Sequence, residues 1–448
     1  MRRLSLALLA LLLAVGMLGA ETPQAPAQTA ARLDADLTPV GAERAANADG
    51  SIPAWTGGLP KSAPIDWKTG YADPFADDQP LFTITAANAE KYKDLLSAGH
   101  QALLKRDAKT FRMHVYPTRR SAAFPDHVLA EVKKHAGVAK TEGSHVRDVG
   151  RSTVPFPVPE NGLQVMWNHV FRWRGGSVER QYVWAPVEGS GKFYVVKYHQ
   201  NIAFDQHGFM RESREGRLYN ATGFFLAPPA AIGVRVLTWE PIDPLKDVRA
   251  RWVFIPQTLD TRRVPSYDYD QQPLLTGGTI TADQVDGWNG APDRFEWKLV
   301  GKRELLIGYN AYRLADRSLR YPDIIKARNL DPDLLRYERH RVWVVEATRV
   351  KHHKFYRRVF YVDEDTWQVA QEETYDKKGA LDRFGDYHMI QFFDVQVPWY
   401  AAAVNHEIPS GRYLVTYLNN MEPFPSRWGF MGEMNDFIPS RLRSLGLE

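Results

Sequence analysis

No cysteine occurs anywhere in the 448 residues of this chain. This absence excludes disulfides, thiolate metal ligands and thiol nucleophiles together. It also excludes the lipid-modified cysteine that tethers a bacterial lipoprotein to its membrane. A chain without covalent crosslinks depends on burying a large hydrophobic core, and this one is long enough to do so.

A strong excess of one charge is missing as well. The chain has 57 Lys and Arg against 53 Asp and Glu, which gives a net charge of +4 at pH 7. No dense basic stripe appears along the sequence, so no nucleic-acid partner is predicted.

The familiar catalytic signatures are also absent from the sequence. It contains no G-x-S-x-G nucleophile elbow, no phosphate-binding loop and no dinucleotide fingerprint. Carboxylate pairs for glycoside hydrolysis can be chosen almost anywhere among 53 acidic residues, and no spacing singles out one pair. These absences favour a protein without catalysis and without a cofactor.

Long apolar runs are confined to the start of the chain. Arg2 and Arg3 precede an apolar run over 4–18, and the small residue Ala20 follows. This pattern predicts a signal peptide over residues 1–20, with cleavage after Ala20, or alternatively after Ala27. The mature protein is therefore predicted to be secreted into the periplasm and not lipid-anchored, with a peripheral association with the outer membrane left open.

Composition divides the remaining chain into three stretches. Residues 21–36 are rich in Ala, Gln, Pro and Thr and predict a flexible leader. Residues 37–177 predict an irregular N-terminal segment with helices over 83–106, 126–136 and 163–174, which pack on a sheet. Residues 178–448 predict the sheet itself, followed from 404 by a helical or irregular tail. The two larger stretches are predicted to form one structural unit.

The strand signal is strongest between Arg339 and Asp386. Segments 342–348, 355–362 and 367–375 are rich in Val, Tyr, Phe, Trp and Thr, and polar turns separate them at 350–354 and 363–366. β-branched and aromatic residues suit a half-buried pleated surface, so an antiparallel meander is predicted. The fold class is therefore α+β. The 12% aromatic content is equally typical of a large β core and of a ligand groove.

Several blocks resemble one bacterial envelope family of unknown function, the outer-membrane-lipoprotein-sorting-protein-like family. They are LTPVGAERAANADGSIPAWTGG at 37–58, ITADQVDGWNGAPDRFEWKLVGKRELLIGYNAY at 280–312, RYERHRVWVVEA at 336–347 and RRVFYVDEDTWQ at 357–368. The family resembles the periplasmic lipoprotein carriers LolA and LolB. The resemblance implies a strongly curved antiparallel sheet, an incomplete barrel covered by helices on one face, around an apolar cavity.

The same resemblance implies a function. Genes of the family often lie beside genes for resistance-nodulation-division-type exporters and a companion outer-membrane protein. The chain is therefore expected to be a non-catalytic periplasmic carrier of a lipid or other hydrophobic molecule, with these two proteins as candidate partners. A shared fold does not fix function. An envelope hydrolase in the same cleft, or an adaptor between the exporter and the outer-membrane partner, stays open.

Two sets of residues are candidates for ligand binding. The first set is apolar and is expected on the concave face of the sheet: Trp252, Phe254, Trp297, Trp343, Val345, Phe360 and Val362. Trp343 and Val345 are spaced by two, as are Phe360 and Val362, so each pair shares one face.

The second set is polar. Arg262 and Arg263, followed by Tyr267 and Tyr269, suit an acidic head group, because guanidinium binds carboxylate or phosphate bidentately. The family often has a Gly-Gln-Arg-Arg-like run at this place, and the turn before the arginines differs here. A surface arginine pair beside sheet-edge tyrosines is the alternative.

Metal binding is weakly indicated at best. The acidic run 363–365 is better explained as a turn between two strands. Asp283, Asp286 and Asp293 do not match the helix-flanked calcium loop, although a calcium site there stays open. His352 and His353 are expected in a solvated hairpin turn between lysines, where a cation is repelled. No metal site is predicted.

Overall fold

The computed structural model describes residues 26–33, 35–264, 269–423 and 426–446, so the predicted signal peptide lies outside the described residues. Helices are few and short in this part of the chain. The α-helices are α1 (Pro26–Arg32), α2 (Ala98–Arg106), α3 (Asp126–His135), α4 (Gly162–Phe171) and α5 (Tyr321–Ile324). Short 3-10 helices span Ala89–Leu95, Pro229–Ala231, Ala282–Gln284, Pro292–Arg294, Tyr312–Ala315, Pro332–Leu334, Met434–Phe437 and Pro439–Arg443.

Strands dominate the fold. The first nine are β1 (Phe82–Ile84), β2 (Met113–Val115), β3 (Lys140–Glu142), β4 (His145–Arg147), β5 (Ser177–Val187), β6 (Val196–Ala203), β7 (Arg217–Ala227), β8 (Arg235–Pro241) and β9 (Ala250–Ile255). The others are β10 (Asp260–Arg263), β11 (Phe295–Gly308), β12 (Tyr337–Arg349), β13 (Arg357–Asp363), β14 (Val369–Tyr375), β15 (Leu381–Phe392), β16 (Val397–Glu407), β17 (Tyr413–Leu418) and β18 (Arg427–Trp428).

Sixteen of these strands form one sheet. Its main order is β11-β12-β13-β14-β15-β16-β17-β5-β6-β7-β8-β9-β10, and every neighbouring pair is antiparallel. The small strand β2 joins the end of β12 by one parallel bridge, and β3 pairs with β4 in a separate hairpin. The edge strands β11 and β10 do not pair, so the sheet is not closed into a barrel. The predicted large antiparallel sheet, which does not close into a barrel, is confirmed.

The predicted meander is β12, β13 and β14. Trp343 pairs with Val362 and Val345 pairs with Phe360 across the ladder between β12 and β13. Directly paired residues lie on the same side of a sheet, so all four side chains share one face, as their spacing predicted. The long strand β11 pairs with β12 through a bulge between Leu299 and Gly301.

Helices cover both sides of this sheet. All ten residues of α4 are buried, and the helix packs on β11 and β12. The opposite face of the sheet carries a second core that includes Leu103 and Leu104 of α2 and Ile324 of α5. Among the described residues, no helix is long and apolar enough to cross a membrane.

Three expectations differ from the structure. The segment expected as a flexible leader contains α1, whose Leu33 end is buried against the core. The helix expected over 83–106 is interrupted, because Ser97 caps a new helix by accepting a hydrogen bond from the backbone N–H of His100. The expected tail includes β17, whose sequence YLVTYL has strand character, and its 3-10 turns follow only afterwards.

Candidate functional site

A cavity lies on the face of the sheet that carries α4. Its volume is about 130 Å³, and we call it the inner cavity. Side chains from β5, β6, β7, β8, β9, β16 and β17 line it, together with Trp167 and Val170 of α4 and the loop 285–290.

The inner cavity requires a curved sheet. From β16 to β9 there are six inter-strand gaps in the sheet order, and at the usual strand spacing a flat sheet would separate these strands by about 29 Å. Trp399 on β16 and Arg251 on β9 nevertheless line the same small cavity. The strands must therefore bend around it, which makes this the concave face of the sheet.

Helix α4 holds one wall of the inner cavity in place. Each ring nitrogen of His169 lies near a backbone N–H, Nδ1 at 3.0 Å from that of Val369 and Nε2 at 3.2 Å from that of Trp288. Each also lies near a backbone carbonyl, that of Trp367 at 3.1 Å and that of Asp286 at 2.9 Å, so one nitrogen accepts and the other donates. Burial, and then the nearby Arg172, lowers the pKa of His169 well below its usual value, so the ring stays neutral. Gly287 lies against this ring with φ +87°, and a side chain there would also meet Tyr400. The loop 285–290 is thus fixed to the helix.

The carboxylates of the inner cavity are already neutralised. Asp286 accepts from Arg172 at 2.6 Å and from Arg174 at 2.8 Å. Burial opposes its ionisation, but these two guanidinium groups outweigh burial and hold the pKa of Asp286 below its usual value. Glu240 accepts hydrogen bonds from Nε and Nη2 of Arg249, at 2.5 and 3.0 Å.

Arg180 is a further charged residue that lines the inner cavity. It is 9% exposed, and its guanidinium lies over three aromatic rings, at 4.8 Å from Tyr182, 4.2 Å from Trp399 and 5.0 Å from Tyr417. Its Nε and Nη2 donate to Oε1 of Gln200 at 3.2 and 3.0 Å. Within the described residues no carboxylate lies within ion-pair distance of it.

Two bulges bring these aromatic rings to Arg180. Ala401 is the extra residue on β16, since His388 pairs with Ala402 and Met389 pairs with Tyr400. Tyr417 is the extra residue on β17 and has φ +75°. A bulge bends its strand and re-aims the adjacent side chains, and positive φ in a bulky residue is uncommon. The backbone of both strands is therefore irregular where the three aromatic rings surround Arg180; we call these rings the cage.

Arg180, Tyr182, Trp399 and Tyr417 stand between two cavities, and we call these four residues the neck. All four line both the inner cavity and a narrow space of about 20 Å³. That space shares Tyr417 and five further residues with a second cavity of about 330 Å³, which we call the outer cavity. The shared residues are Phe392, Tyr400, Asn419, Ser426 and Trp428. The three spaces therefore adjoin one another, and Arg180 lies where the inner cavity meets the narrow space.

The outer cavity has mainly apolar and aromatic walls. The N-terminal segment supplies Ile65, Trp67 and Tyr71, and the sheet supplies Phe392 and Trp428. Tyr71 packs edge-on against Phe392 with 5.0 Å between ring centroids, and its hydroxyl donates to Asp394 at 2.8 Å. The irregular segment predicted at 37–80 thus closes one side of the outer cavity.

The predicted apolar residues of the meander lie on the cavity's face but not in the cavity. Val345, Phe360 and Val362 are fully buried, and Trp297 and Trp343 are half-buried. A Cβ built on Gly162, the first residue of α4, would lie 2.9 Å from Cγ1 of Val345. The helix therefore occupies the space where a ligand was expected.

Two other predicted residues point away from the inner cavity. Phe254 is 2% exposed and packs with Phe437 and Leu442 of the C-terminal 3-10 helices. Trp252 packs against Trp239 with ring centroids 4.4 Å apart. Arg251, which precedes Trp252 on β9, is the residue that lines the cavity, because alternate residues of a strand face opposite sides.

The predicted arginine pair is on the surface. Arg262 and Arg263 of β10 are exposed; Arg262 pairs with Asp260 at 2.5 Å and Arg263 lies 5.6 Å from the ring of Trp252. Tyr267 lies outside the described residues.

Tyr269 is closer to the inner cavity than the arginine pair. The guanidinium of Arg249 lies 4.7 Å from its ring, and Arg249 in turn holds Glu240 of the cavity wall. Burial raises the pKa of Tyr269 to about 12. None of the ten described candidate residues lines the inner or the outer cavity.

The aspartates considered for calcium do not converge. Asp283 pairs with His353 at 3.1 Å and with Arg358, Asp286 pairs with the two arginines named above, and Asp293 pairs with Lys351. Each carboxylate has its own cationic partner, which leaves no shared cation site. His353 corrects an expectation: it is 2% exposed rather than solvated, because it is the buried partner of Asp283.

The acidic run 363–365 is the predicted turn, but it is buried. His340, Asp363 and Asp365 offer ligand atoms within 4.8 Å of one another. Both oxygens of Asp365 already accept hydrogen bonds from Arg120, at 2.9 and 2.6 Å. A guanidinium at this distance would repel a metal ion, so the cluster is better explained as a buried ion network.

Sequence reasoning missed the residues that form the neck. Arg180 and Tyr182 lie in the segment VERQYVW. The available hint was a cation on the same strand face as the aromatic positions 182 and 184. Trp399 and Tyr417 could not be placed, because their direction depends on bulges that pairing reveals and spacing does not.

Comparisons with known proteins agree with the expected family. Residues 83–443 match the family described as proteins of unknown function (DUF1329). An uncharacterized protein of Pseudomonas aeruginosa is 40% identical over 429 residues, which cover 94% of this chain and 94% of that relative.

Solved structures resemble this chain more distantly. A proposed outer membrane lipoprotein-sorting protein domain from Vibrio parahaemolyticus covers 63% of this chain and 98% of its own length, at 13% identity and a TM-score of 0.44. A DUF1329 family protein from Desulfovibrio piger covers 62% and 95%, at 15% identity and a TM-score of 0.42. A LolA superfamily protein from Nitrosomonas europaea covers 62% and 97%, at 11% identity and a TM-score of 0.36. By the family match and the Pseudomonas relative, this chain belongs to the DUF1329 family of proteins of unknown function.

Proposed function

We propose that this protein is a non-catalytic carrier of a lipid or other hydrophobic molecule in the periplasm, serving export to the outer membrane. The observation that supports the proposal is the inner cavity on the concave face together with the outer cavity that adjoins it. Small-molecule sites are concave and mostly apolar, with a few placed polar groups, and this description fits the walls of both cavities. A resistance-nodulation-division-type exporter and an outer-membrane protein are its proposed partners.

Burial of hydrocarbon would supply the affinity. Each methylene removed from water contributes about 0.8 kcal/mol, so an acyl chain needs few polar contacts to be retained. The outer cavity, at about 330 Å³, lies at the lower end of ordinary ligand sites, about 300–1,000 Å³. A long chain would therefore extend past the neck, and loading or release would need the neck or the loop 285–290 to open.

The two rival functions have less support. A hydrolase needs a free acid or base, but Asp286 and Glu240 are bound by arginines, and the described lining of the inner cavity includes no serine, histidine or lysine. A broad exposed aromatic patch would favour the adaptor function. Of the described aromatic residues, only Tyr194 and Tyr356 are strongly exposed, at 46% and 41%.

Native mass spectrometry of the protein purified from periplasm tests the carrier function. We expect a lipid-sized adduct on the wild type and on the volume-conserving variant Ala221→Ser. Ala221 lines the inner cavity, so Ala221→Phe should fill it and reduce the adduct-bearing fraction several-fold. A wild type that carries no adduct and also fails to bind added oleate and oleyl alcohol would contradict the carrier function.

A further inference from the structure

The neck places a cation where a carrier of plain hydrocarbon would have no use for one. Arg180 is 9% exposed and has one polar partner among the described residues, the neutral side chain of Gln200. Removing a guanidinium from water is costly unless a counter-charge compensates it. Three aromatic faces offset part of that cost but supply no negative charge. The site therefore lacks an anion.

Other polar groups around the inner cavity point to the same ligand chemistry. Hydrogen-bond donors are in excess there: the indole Nε1 atoms of Trp167 and Trp288 are buried and have no acceptor, and both residues line the cavity. The two carboxylates of the wall are occupied by Arg172, Arg174 and Arg249. An incoming group with several acceptor oxygens would satisfy donors that the protein leaves unpaired.

We propose that Arg180 binds the acidic head of a single-chain amphiphile, a carboxylate or a phosphate monoester, at the neck. The head's oxygens face the inner cavity, and the hydrocarbon tail lies in the outer cavity between Trp67, Tyr71 and Phe392. The larger volume and aromatic walls of the outer cavity fix this orientation. The inference rests on the proposed carrier function and adds the charge class of the cargo and the residue that selects it.

The bulges explain why this position suits recognition. Tyr417 has φ +75°, and such irregular backbone is maintained only where the surrounding structure enforces it. Trp399 is held from the other side, since its Nε1 donates to Asp286 at 2.9 Å. The cage therefore orients the guanidinium before a ligand arrives, which limits the ordering cost of binding.

The test is a comparison of three probes on the full mature protein by isothermal titration calorimetry below the critical micelle concentrations. The probes are oleate, oleyl alcohol and 1-oleoyl lysophosphatidic acid. They share one tail and differ in the head, and the two acids distinguish a carboxylate from a phosphate source. A charge-assisted hydrogen bond should make the wild type bind at least one acid about tenfold or more tightly than the alcohol.

Three variants separate recognition from folding. Arg180→Gln should bring the affinities for oleate, the lysophosphatidic acid and oleyl alcohol within about twofold of one another, while Arg180→Lys should keep part of the preference. Arg262→Gln removes an exposed arginine of the pair predicted from sequence and should leave the preference unchanged. Because Arg180 has no carboxylate partner, Arg180→Gln should not lower Tm.

The outcomes are distinguishable. If the wild type binds the alcohol as tightly as both acids, the inference is overturned and the carrier function stands. If Arg180→Gln lowers Tm and weakens all three probes equally, Arg180 is structural, and the inference is again overturned. If Arg262→Gln rather than Arg180→Gln removes the preference, the acidic head binds at β10. If no probe binds the wild type, the carrier function itself fails.

Discussion

One face of the sheet meets two different environments. Over β11–β14, which we call the filled half, α4 packs directly on β11 and β12, and Val345, Phe360 and Val362 are fully buried. Over β5–β9, β16 and β17, the open half, the same face presents Arg180 and Glu240 and retains cavities. Where the side chains of the sheet are apolar, a helix can pack directly on them and exclude all water. Buried charge alone does not prevent this, since Arg358 and Glu372 on the same face of the filled half are fully buried and paired with each other. Arg180 of the open half has no carboxylate partner among the described residues.

Helix α4 belongs to both environments. Its first residue, Gly162, approaches the backbone of Lys298 in the filled half, and Trp167 and Val170 form a wall of the inner cavity. The helix is buried along its whole length because it lies between a packed core and the inner cavity. The comparison predicts that core substitutions affect stability in the filled half and ligand binding in the open half.

The largest expected effect is on stability in the filled half. Phe360→Ala removes a fully buried ring that faces α4, and it should lower the free energy of unfolding by about 3–5 kcal/mol. Ile202→Ala in the open half removes a side chain that already borders the inner cavity, so its cost should be nearer about 2 kcal/mol. Urea denaturation measures both values.

The matched pair also differs in binding. At low denaturant Phe360→Ala should keep the oleate affinity of the wild type within about twofold, whereas Ile202→Ala should change it, because only Ile202 borders the ligand space. Equal destabilisation together with equal effects on oleate affinity would mean that the two halves are one continuous core, and the comparison would fail.

The fold was more predictable than the site for a physical reason. Hydrophobic alternation is a local signal, and it is strongest in β12, β13 and β14, where a helix buries one face completely. The shared face of Trp343 and Val345 followed from spacing alone. The same signal misplaced the ligand site, because the most apolar concave positions are the ones that a helix can cover.

The sequence predicted a cavity on the concave face but not the residues that line it. That Arg180 faces a cavity depends on strands that are distant in sequence, and that three rings surround it depends on bulges at Ala401 and Tyr417. A sequence gives the parity of a strand but not a register shift between two strands. Arg262 and Arg263 were conspicuous in the sequence because they are adjacent. Arg180 has no neighbouring arginine, so nothing in the sequence drew attention to it.

A smaller effect on stability is expected where α4 begins. Ala is favoured over Gly in helices by about 1 kcal/mol, but a Cβ on Gly162 would lie 2.9 Å from both the carbonyl carbon of Lys298 and Cγ1 of Val345. The backbone contact cannot yield easily, so Gly162→Ala should destabilise by about 1–3 kcal/mol. Thermal unfolding measures the change.

A second substitution sharpens this prediction. Val345→Ala removes one of the two close neighbours of a Cβ at 162, so the double variant should be more stable than the sum of the single effects predicts. Exact additivity would mean that α4 has room to move away from β11 and β12. The filled half would then be packed less tightly than its burial indicates.

The smallest effect concerns charge buried in the filled half. Asp363 is 1% exposed; Oδ2 accepts from the backbone N–H and the hydroxyl of Thr366, and Oδ1 has no hydrogen-bond partner. Burial, opposed by His340 and reinforced by Asp365, raises the pKa of Asp363 to about 7. The folded state therefore holds a proton that the unfolded state, with a pKa of about 3.9, has released.

Linkage gives the sign of the pH effect. Between about pH 4 and pH 7 the folded state binds more protons at Asp363, so this residue's contribution to stability falls as pH rises through that window. Asp363→Asn has no proton to lose there, so its Tm should rise relative to the wild type by a few degrees between pH 4 and pH 8.

The pKa of His340 is also raised, by Glu338 and Asp363 against burial, and stability linked to it is likewise lost with rising pH. His340→Gln, measured in parallel, separates the two contributions. Parallel Tm curves for the wild type and Asp363→Asn would mean that the filled half stabilises an ionised carboxylate as fully as the arginines of the open half stabilise Asp286.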